Sequence, residues 1–459
     1  MIFDTWHRAV VVAIVAAITG GTALAQSVTD LTVFTGRGPV GKPAMIPAQG
    51  RNGQLYGTGY GSKTADGSIF SLTTDGTVHV LHTFEYTDGA APQAGLTLAT
   101  DGNYYGTTGG GGTYGLGVLF RISPGGTYTV LHDFSGSDGA GPVANPIEAS
   151  DGNLYGTTSG AAGIYSSTVY KCTLSGGFSN LFTFDLAQAS NVASPLIEGS
   201  DGNLYGTAAD GGASDNGSIF KISRTGKLLS IYNFPGGNGG QAPFGALVEG
   251  PDSSFYGTTF AGGDIVQQYG TVFKMDKSGA VSILYYFQGG SEGAFPTGGL
   301  TLGTDGNLYG ATAGTSAERF GTLFKITPSG QYEQLYAFTP AMGYGPSIPL
   351  QDTNGLFYGA TEYGGGYGYG AIYQLDMGLG EFITFVRASG KAGYTAQVLG
   401  QGFTGATSVT FNGIHAASFT VDSDTYMTAV VPQGATTGPV EVTSSAGTLK
   451  SNVNFRILQ

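Results

Sequence analysis

An eight-residue motif, written DGNLYGTT at residues 151–158, returns at nearly constant intervals through most of the chain. The Tyr-Gly pair of this motif begins at seven positions: Tyr56, Tyr105, Tyr155, Tyr205, Tyr256, Tyr309 and Tyr358. Successive pairs are 49 to 53 residues apart. A steady period of this length indicates a repeat architecture, in which each repeat buries its apolar surface against its neighbours.

Each repeat predicts four short strands, which we call a, b, c and d. In the second repeat they are residues 94–98, 104–108, 118–123 and 127–134. Turns with Asp-Gly or Pro-Gly separate a from b and c from d, and apolar residues alternate with the two-residue period of strands. The sequence therefore predicts an all-β protein, with a seven-bladed β-propeller over residues 28–381.

Composition favours a packed, acidic fold. Glycine accounts for 82 of 459 residues, but 27 Tyr and 27 Phe supply the aromatic surface of a core. The net charge of -13 would repel a phosphate backbone, so we expect no nucleic-acid partner. Cys172 is the single cysteine, which excludes an intrachain disulfide. It stands where other repeats have Ile or Met, so we expect it to pack inertly in the core.

The two ends of the chain depart from the repeat. Residues 1–25 carry Arg8, a short apolar run and an Ala-Leu-Ala end, which predicts a cleaved secretory signal peptide and no membrane span afterwards. Residues 382–459 lack the Tyr-Gly motif and contain short alternating strands, which predict a small β-sandwich.

The sequence contains one more d-like strand than seven blades can hold. The surplus lies at residues 31–34 (LTVF) and 382–386 (FITFV). We predict that residues 31–34 form the outer strand of the last blade, beside residues 371–375, and so join the two ends of the ring. Residues 382–386 would then enter the C-terminal sandwich.

The repeat, with its DGNLYGTT motif, Gly-Gly loop and G-x-x-F-K-I-S strand, resembles the GloVer tandem-repeat family of secreted bacterial proteins. The segments VLGQGF at 398–403, VTFNG at 409–413 and VPQGATTGPV at 431–440 resemble an IPT/TIG domain, which implies an immunoglobulin-like module. Neither resemblance implies catalytic residues.

Acidic residues recur with the repeat and allow two interpretations. Glu148, Glu198 and Glu249 each lie three residues before the aspartate of the turn motif. Clustered carboxylates can bind Ca²⁺, whereas aspartate also stabilises tight turns without any ligand. We favour turn chemistry and expect no cofactor or metal.

Two histidines also stand at a repeated position. His82 and His132 occupy the place in strand d where other repeats have Phe182, Tyr232, Tyr285 and Tyr336. We therefore interpret both as substitutes for an aromatic core residue, and a functional role is the alternative.

The b–c and d–a connections vary most between repeats, and the antiparallel order places both on one face, which we call the variable-loop face. Aromatic residues gather there: Tyr60, Tyr114, Tyr165, Tyr269, Tyr344, Tyr363, Tyr367 and Tyr369. We predict a ligand site in the last repeat, where Tyr363, Tyr367 and Tyr369 crowd beside Glu362. Packing of the Gly-rich loops by these rings is the alternative.

Charged residues that interrupt the repeat at one place are further candidates, since one site is needed rather than seven. They include Asp264, Glu318 and Arg319, all in b–c loops. We expect a secreted, monomeric, non-catalytic protein that binds an extracellular glycan or protein, in the extracellular space, on the cell surface or in the periplasm. The alternative is a glycoside hydrolase or lyase, which would need two carboxylates that converge.

Overall fold

The computed structural model describes residues 27–36, 40–44, 48–62, 65–160, 166–263, 268–314 and 320–459. Within these ranges the protein is all-β apart from two short 3-10 turns, Gly237–Gly239 and Gly290–Glu292. The predicted signal peptide lies outside the described residues. No helix in the described part of the chain is long and apolar enough to cross a membrane.

The repeats of the described chain form seven antiparallel sheets, each in the order a-b-c-d. The a strands are Ala48–Gln49, Thr97–Leu98, Ile147–Glu148, Ile197–Glu198, Val248–Glu249, Thr301–Leu302 and Leu350–Gln351. The b strands are Leu55–Ser62, Tyr104–Thr108, Asn153–Thr158, Leu204–Ala208, Phe255–Thr259, Leu308–Thr312 and Phe357–Tyr363. The c strands are Ala65–Leu72, Val118–Ile122, Thr168–Thr173, Ser218–Ile222, Thr271–Met275, Thr322–Ile326 and Ala371–Asp376. The d strands are Val78–Thr83, Tyr128–Asp133, Phe178–Thr183, Leu228–Asn233, Val281–Tyr286, Tyr332–Ala337 and Ser27–Val33.

Two further short strands widen the first and last sheets. Lys42–Pro43 pairs with strand b of the first repeat, and Tyr344–Pro346 pairs with strand b of the last. Strand a is shorter than the sequence predicted, since only Thr97–Leu98 of residues 94–98 pairs with strand b. The preceding part bonds to the neighbouring repeat instead: the Thr58 hydroxyl donates to the carbonyl of Ala94 at 2.7 Å.

The glycine of each Tyr-Gly pair makes room for an aromatic ring, but not for its own tyrosine. Gly206 lies opposite Phe220 of strand c, and a Cβ at Gly206 would stand 2.4 Å from the Phe220 ring. Gly310 faces Phe324 in the same way. The ring on the partner strand therefore covers the bare glycine backbone, which explains why the pair recurs.

Replacing Gly206 with Ala tests this contact. The Phe220 ring is fully buried, so a shift of the ring would disturb its packing, and we expect the substitution to lower the free energy of unfolding by about 1–3 kcal/mol. Gly380→Ala is the matched control, because nothing lies within 4 Å of a Cβ there. Chemical denaturation of both variants measures the effect, and equal stabilities would contradict the packing role.

The polar residues of the motif bond to one another. In the fourth repeat the Asp201 carboxylate accepts hydrogen bonds from the Asn203 backbone N–H at 3.0 Å and from the Tyr205 hydroxyl at 2.9 Å. Lys221 forms an ion pair with the same carboxylate at 2.8 Å. The lysines of strand c are thus paired here and in the third and fifth repeats, rather than simply solvated.

Buried residues of neighbouring sheets form one hydrophobic cluster per contact, and these clusters follow each other in cyclic order. The last of them joins the seventh sheet to the first, since Tyr358 and Ile372 pack with Leu55 and Phe70. Ser27–Val33 pairs antiparallel with Ala371–Asp376, which confirms the predicted ring-closing strand and extends it toward the N-terminus.

Cys172 fills a core position, as predicted, whereas His82 and His132 are half-buried. Cys172 is fully buried, and burial raises the pKa of its thiol to about 11. The imidazoles of His82 and His132 stack on Tyr128 and Phe178 of the next repeat, with ring centroids 4.0 and 3.5 Å apart. This stacking is what a substitute for an aromatic residue would form, and each imidazole also pairs with a carboxylate, Asp88 or Asp138.

The C-terminal region forms two four-stranded sheets that share one core. The first contains Thr384–Phe385, Thr395–Leu399, Tyr426–Val430 and Ser418–Ser423. The second contains Ile414–His415, Ser408–Phe411, Val440–Ser444 and Gly447–Lys450. A two-stranded parallel sheet adds Ser389–Gly390 and Arg456–Ile457. Thr384–Phe385 pairs with Thr395–Leu399, which confirms that residues 382–386 join this region.

Candidate functional site

The inner ends of all seven repeats surround a central cavity of about 440 Å³. Each repeat contributes residues from its a strand or from the segment just before it. The cavity wall is mainly apolar and includes Leu96, Val143, Ala193, Phe244, Gly299 and Ile348. Two polar groups in the wall bond within the protein: the Thr97 hydroxyl donates to the carbonyl of Pro146, and the Asn145 amide donates to Thr97. The Oδ1 of Asn452, which also lines the cavity, is buried without a hydrogen-bonding partner among the described residues.

The C-terminal region closes one end of this cavity. Phe385, Val386 and Leu399 line the cavity beside Gln49 and Leu98, which lie at the a–b turn end of the inner strands. The opposite end carries Phe244 and Thr297, which belong to the variable-loop face. The cavity is therefore a pocket with its floor at the a–b turns and its mouth at the variable loops.

Two arginines attach this floor to the repeats. The Arg387 guanidinium lies 3.4 Å from the carboxylate of Glu148, whose side chain is almost fully buried. Arg456 lies 3.0 Å from the carboxylate of Glu198 and also donates to the carbonyl of Gly199 at 2.6 Å. Because a buried carboxylate needs a paired cation, these contacts hold the C-terminal region at the a–b turns.

The recurring glutamates also connect one repeat to the next. Glu148 accepts hydrogen bonds from the Thr100 backbone N–H and hydroxyl, and Glu249 accepts the equivalent pair from Ser200. In the described part of the chain no group of three or more His, Cys, Asp or Glu could hold a metal ion. The hydrogen bonds from Thr100 and Ser200 show that these carboxylates join one repeat to the next.

Where a repeat has no side-chain acceptor at the position of this glutamate, the turn residue that would face it lacks a hydroxyl group. The position of Glu148 is Leu98 in the second repeat and Leu302 in the sixth. The facing turn residues in those cases are Arg51 and Pro251, which lack a hydroxyl, and Pro251 also lacks an N–H donor. The position of Glu148 thus carries a side-chain acceptor where the facing turn residue has a hydroxyl group to donate, as expected of structural contacts.

The variable-loop face is arranged as the sequence predicted. The d–a loop that leads into a sheet forms backbone bridges with the b–c loop of that sheet, as between Ala90 and Gly110, Ser190 and Asp210, and Gln241 and Ala261. One end of the contact between the last and first sheets, which we call the seam, reaches this face. There the Lys42 ammonium stands 3.6 Å from the centroid of the Tyr363 ring.

Tyr363 contacts several residues at this seam. Its ring stacks on Tyr344 at 5.3 Å, and a hydrogen bond with Glu362 together with partial burial raises its pKa to about 12. Glu362 is exposed, and the Tyr60 ring nearby is 40% exposed. The seam thus presents an aromatic face, an ammonium group and a carboxylate close together.

The other two predicted tyrosines of this loop differ from each other. Tyr367 is 58% exposed, whereas Tyr369 is partly buried and its ring lies over Gly36, where a Cβ would stand 2.3 Å away. Tyr369 therefore packs the loop, and Tyr367 is open to solvent. Asp264, Glu318 and Arg319 lie outside the described residues.

Sequence reasoning missed one aromatic group on the variable-loop face. Phe244, Phe260 and Phe295 lie edge-to-face and stacked, with centroid distances of 5.7 and 5.1 Å between successive rings. Phe244 and Phe260 are 38% and 36% exposed. The equivalent positions in other repeats hold no phenylalanine, so comparing the repeats position by position would have revealed the group.

A family model of the Gloeobacter/Verrucomicrobia repeat matches residues 22–199 and 193–425 of the chain. The chain belongs to this family. The match to the Gloeobacter/Verrucomicrobia repeat extends past the last Tyr-Gly motif into the C-terminal region. No curated protein matches the chain significantly.

Solved structures of two bacterial proteins are among those that resemble this member of the repeat family. One is the periplasmic gluconolactonase of Pseudomonas aeruginosa, with 15% identity, a TM-score of 0.44, and coverage of 69% of this chain and 94% of that chain. The other, from Bacteroides fragilis, carries the provisional name 6-phosphogluconolactonase, with 16% identity, a TM-score of 0.46, and coverage of 70% and 88%. At such identities and scores, neither neighbour indicates what this chain does.

Proposed function

We propose that the protein is a secreted, non-catalytic binding protein whose variable-loop face binds an extracellular glycan or protein. The observation that carries this proposal is the seam between the last and first sheets. Glu362, Lys42 and the exposed rings of Tyr60 and Tyr367 combine both charges with flat apolar surfaces there. Sugars and protein side chains both present this mixture of polar and apolar groups.

The scaffold of this proposal is a seven-bladed propeller followed by an immunoglobulin-like domain of the IPT/TIG type. The cyclic order of the hydrophobic clusters and the ring-closing strand support the first part. The two sheets around one core support the second. In this arrangement the C-terminal domain occupies the face opposite the binding loops, so it serves as floor and spacer.

The double variant Glu362→Gln with Tyr367→Ala tests the seam. Both side chains are exposed, so we expect an unchanged melting temperature and about tenfold weaker binding to a glycan or protein ligand identified on an array. Tyr114→Ala is the matched control, since Tyr114 is 60% exposed in the equivalent loop of the second repeat. Tyr369→Ala should instead lower the melting temperature, because that ring packs on Gly36.

Binding that survives the double variant would place the ligand elsewhere. Release of soluble sugar products from the bound glycan would favour the hydrolase or lyase alternative.

Among the described carboxylates that interrupt the repeat, Asp215 accepts a hydrogen bond from the Gly211 backbone N–H, and Asp210 accepts one from Asn191. Both are thus engaged in local contacts.

A further inference from the structure

We propose that the central pocket is a binding site for a planar aromatic group, which enters from the variable-loop face past Phe244 and Phe260. This site is separate from the seam around Tyr363, and the proposal does not depend on glycan or protein binding there. It rests on the shape of the cavity, the chemistry of its wall and the phenylalanines at its mouth.

The pocket has the size and closure of a small-molecule site. A volume of about 440 Å³ lies within the usual range of about 300–1,000 Å³ for ligand pockets. Phe385, Val386 and Leu399 of the C-terminal region close the floor, so an occupant would be enclosed at one end.

The wall favours an apolar occupant. Ala94, Ala144 and Leu96 are buried in the wall, and the Thr297 hydroxyl already donates to the carbonyl of Pro346 at 2.9 Å. Burying an unpaired polar group of a ligand here would be unfavourable, whereas removing apolar surface from water is favourable. The buried Oδ1 of Asn452 lacks a partner among the described residues and could accept one hydrogen bond, but a sugar with many hydroxyl groups would fit this mainly apolar wall poorly.

The mouth specifies an aromatic occupant. Phe244 lines the cavity and remains 38% exposed, and its ring stands edge-to-face with Phe260. Planar rings are favoured partners for such exposed rings, because edge-to-face and offset contacts add to the effect of area burial. A third phenylalanine, Phe295, supports Phe260 by stacking at 5.1 Å.

Phe295 is held in a backbone conformation that a bulky side chain rarely adopts. Its φ is 56°, whereas the equivalent positions with similar φ hold Ala91, Asn191 and Ala242. Retaining a large ring where a small residue would be less strained points to a role for the ring beyond folding. This departure occurs in one repeat, next to the other two phenylalanines.

The test uses the chain from residue 27 to the C-terminus and the fluorescent probe N-phenyl-1-naphthylamine, a largely apolar molecule with two planar aromatic groups. We expect saturable binding of one probe per chain. Phe244→Ala with Phe260→Ala should weaken this binding by about tenfold, from the loss of two ring contacts. Ala193→Phe, which would fill the cavity from another repeat, should prevent binding.

Tyr86→Ala is the matched control, because Tyr86 is 56% exposed in a d–a loop of the same face and does not line the cavity. Circular dichroism verifies that each variant folds. If one variant fails to fold, the other, either Phe244→Ala with Phe260→Ala or Ala193→Phe, decides the outcome alone. Saturable binding that is weakened in Phe244→Ala with Phe260→Ala, prevented in Ala193→Phe and kept in the control supports the site. Failure of saturable binding, binding that persists in Ala193→Phe, or equal weakening by Tyr86→Ala would overturn it.

Discussion

A chain that begins at residue 37 should fail to unfold cooperatively, whereas a chain that begins at residue 27 should melt in one sharp transition. The shorter chain lacks the ring-closing strand Ser27–Val33 and exposes the edge of Ala371–Asp376. It also loses Val28 and Phe34, which are 4% and 6% exposed and pack in the clusters on either side of the seventh sheet. Burial of each such side chain contributes about 1.5–3 kcal/mol, a large share of a total stability of about 5–15 kcal/mol.

A synthetic peptide of residues 27–36 should restore cooperative melting to the shorter chain, because an exposed strand edge accepts an added strand. Within the full chain, Phe34→Ala should lower the free energy of unfolding by about 3–5 kcal/mol, and Thr29→Ala, on a half-exposed site, serves as its control. A shorter chain as stable as the longer one would show that the ring closes without this strand.

Replacing Asp352 with Ala should stabilise the protein at neutral pH. Asp352 is 1% exposed, and one oxygen of its carboxylate is buried without a hydrogen-bonding partner among the described residues. The same turn position holds Ala99 and Ala149 in other repeats, so alanine fits the site. Burial raises the pKa of Asp352 to about 6, against a hydrogen bond from the Asn354 N–H that lowers it.

The effect should depend on pH. Because the folded-state pKa lies above the usual 3.8, the wild-type protein has its full stability at this site below about pH 4 and loses it as the pH rises through about 6. A pKa difference of about two units corresponds to about 3 kcal/mol, which Asp352→Ala should recover at pH 7.5 relative to pH 4.

Asp276→Ala is the control for this measurement. Hydrogen bonds from Ser278 and Ala280 lower the pKa of the exposed Asp276 carboxylate, so its removal should have the opposite dependence on pH. Denaturant titrations of both variants at the two pH values compare the free energies of unfolding. A gain from Asp352→Ala that is the same at both pH values would contradict the buried-charge explanation.

The repeat by itself determined the local structure. Its Asp-Gly turns, two-residue alternation and fixed spacing are properties of neighbouring residues, so in the second repeat they placed strands b, c and d within one residue of those observed. The surplus d-like strand also predicted the ring-closing pair. Seven blades hold only seven d strands, so one of the two candidates at the ends of the repeat region had to complete the last sheet. Cys172 and the histidines could be assigned because each has counterparts at the same place in other repeats.

Only the tertiary structure decided which side chains of different repeats meet. The attachment of Arg387 to Glu148 joins residues far apart in the chain, and it closes the floor of a pocket that no single repeat contains. Tyr369 and Tyr367 are the same residue type in one loop, yet one packs and the other is exposed, because Gly36 of the ring-closing segment lies beneath only one of them. Burial and long-range contact depend on how distant segments pack, and a repeat pattern encodes only the separation of residues along the chain.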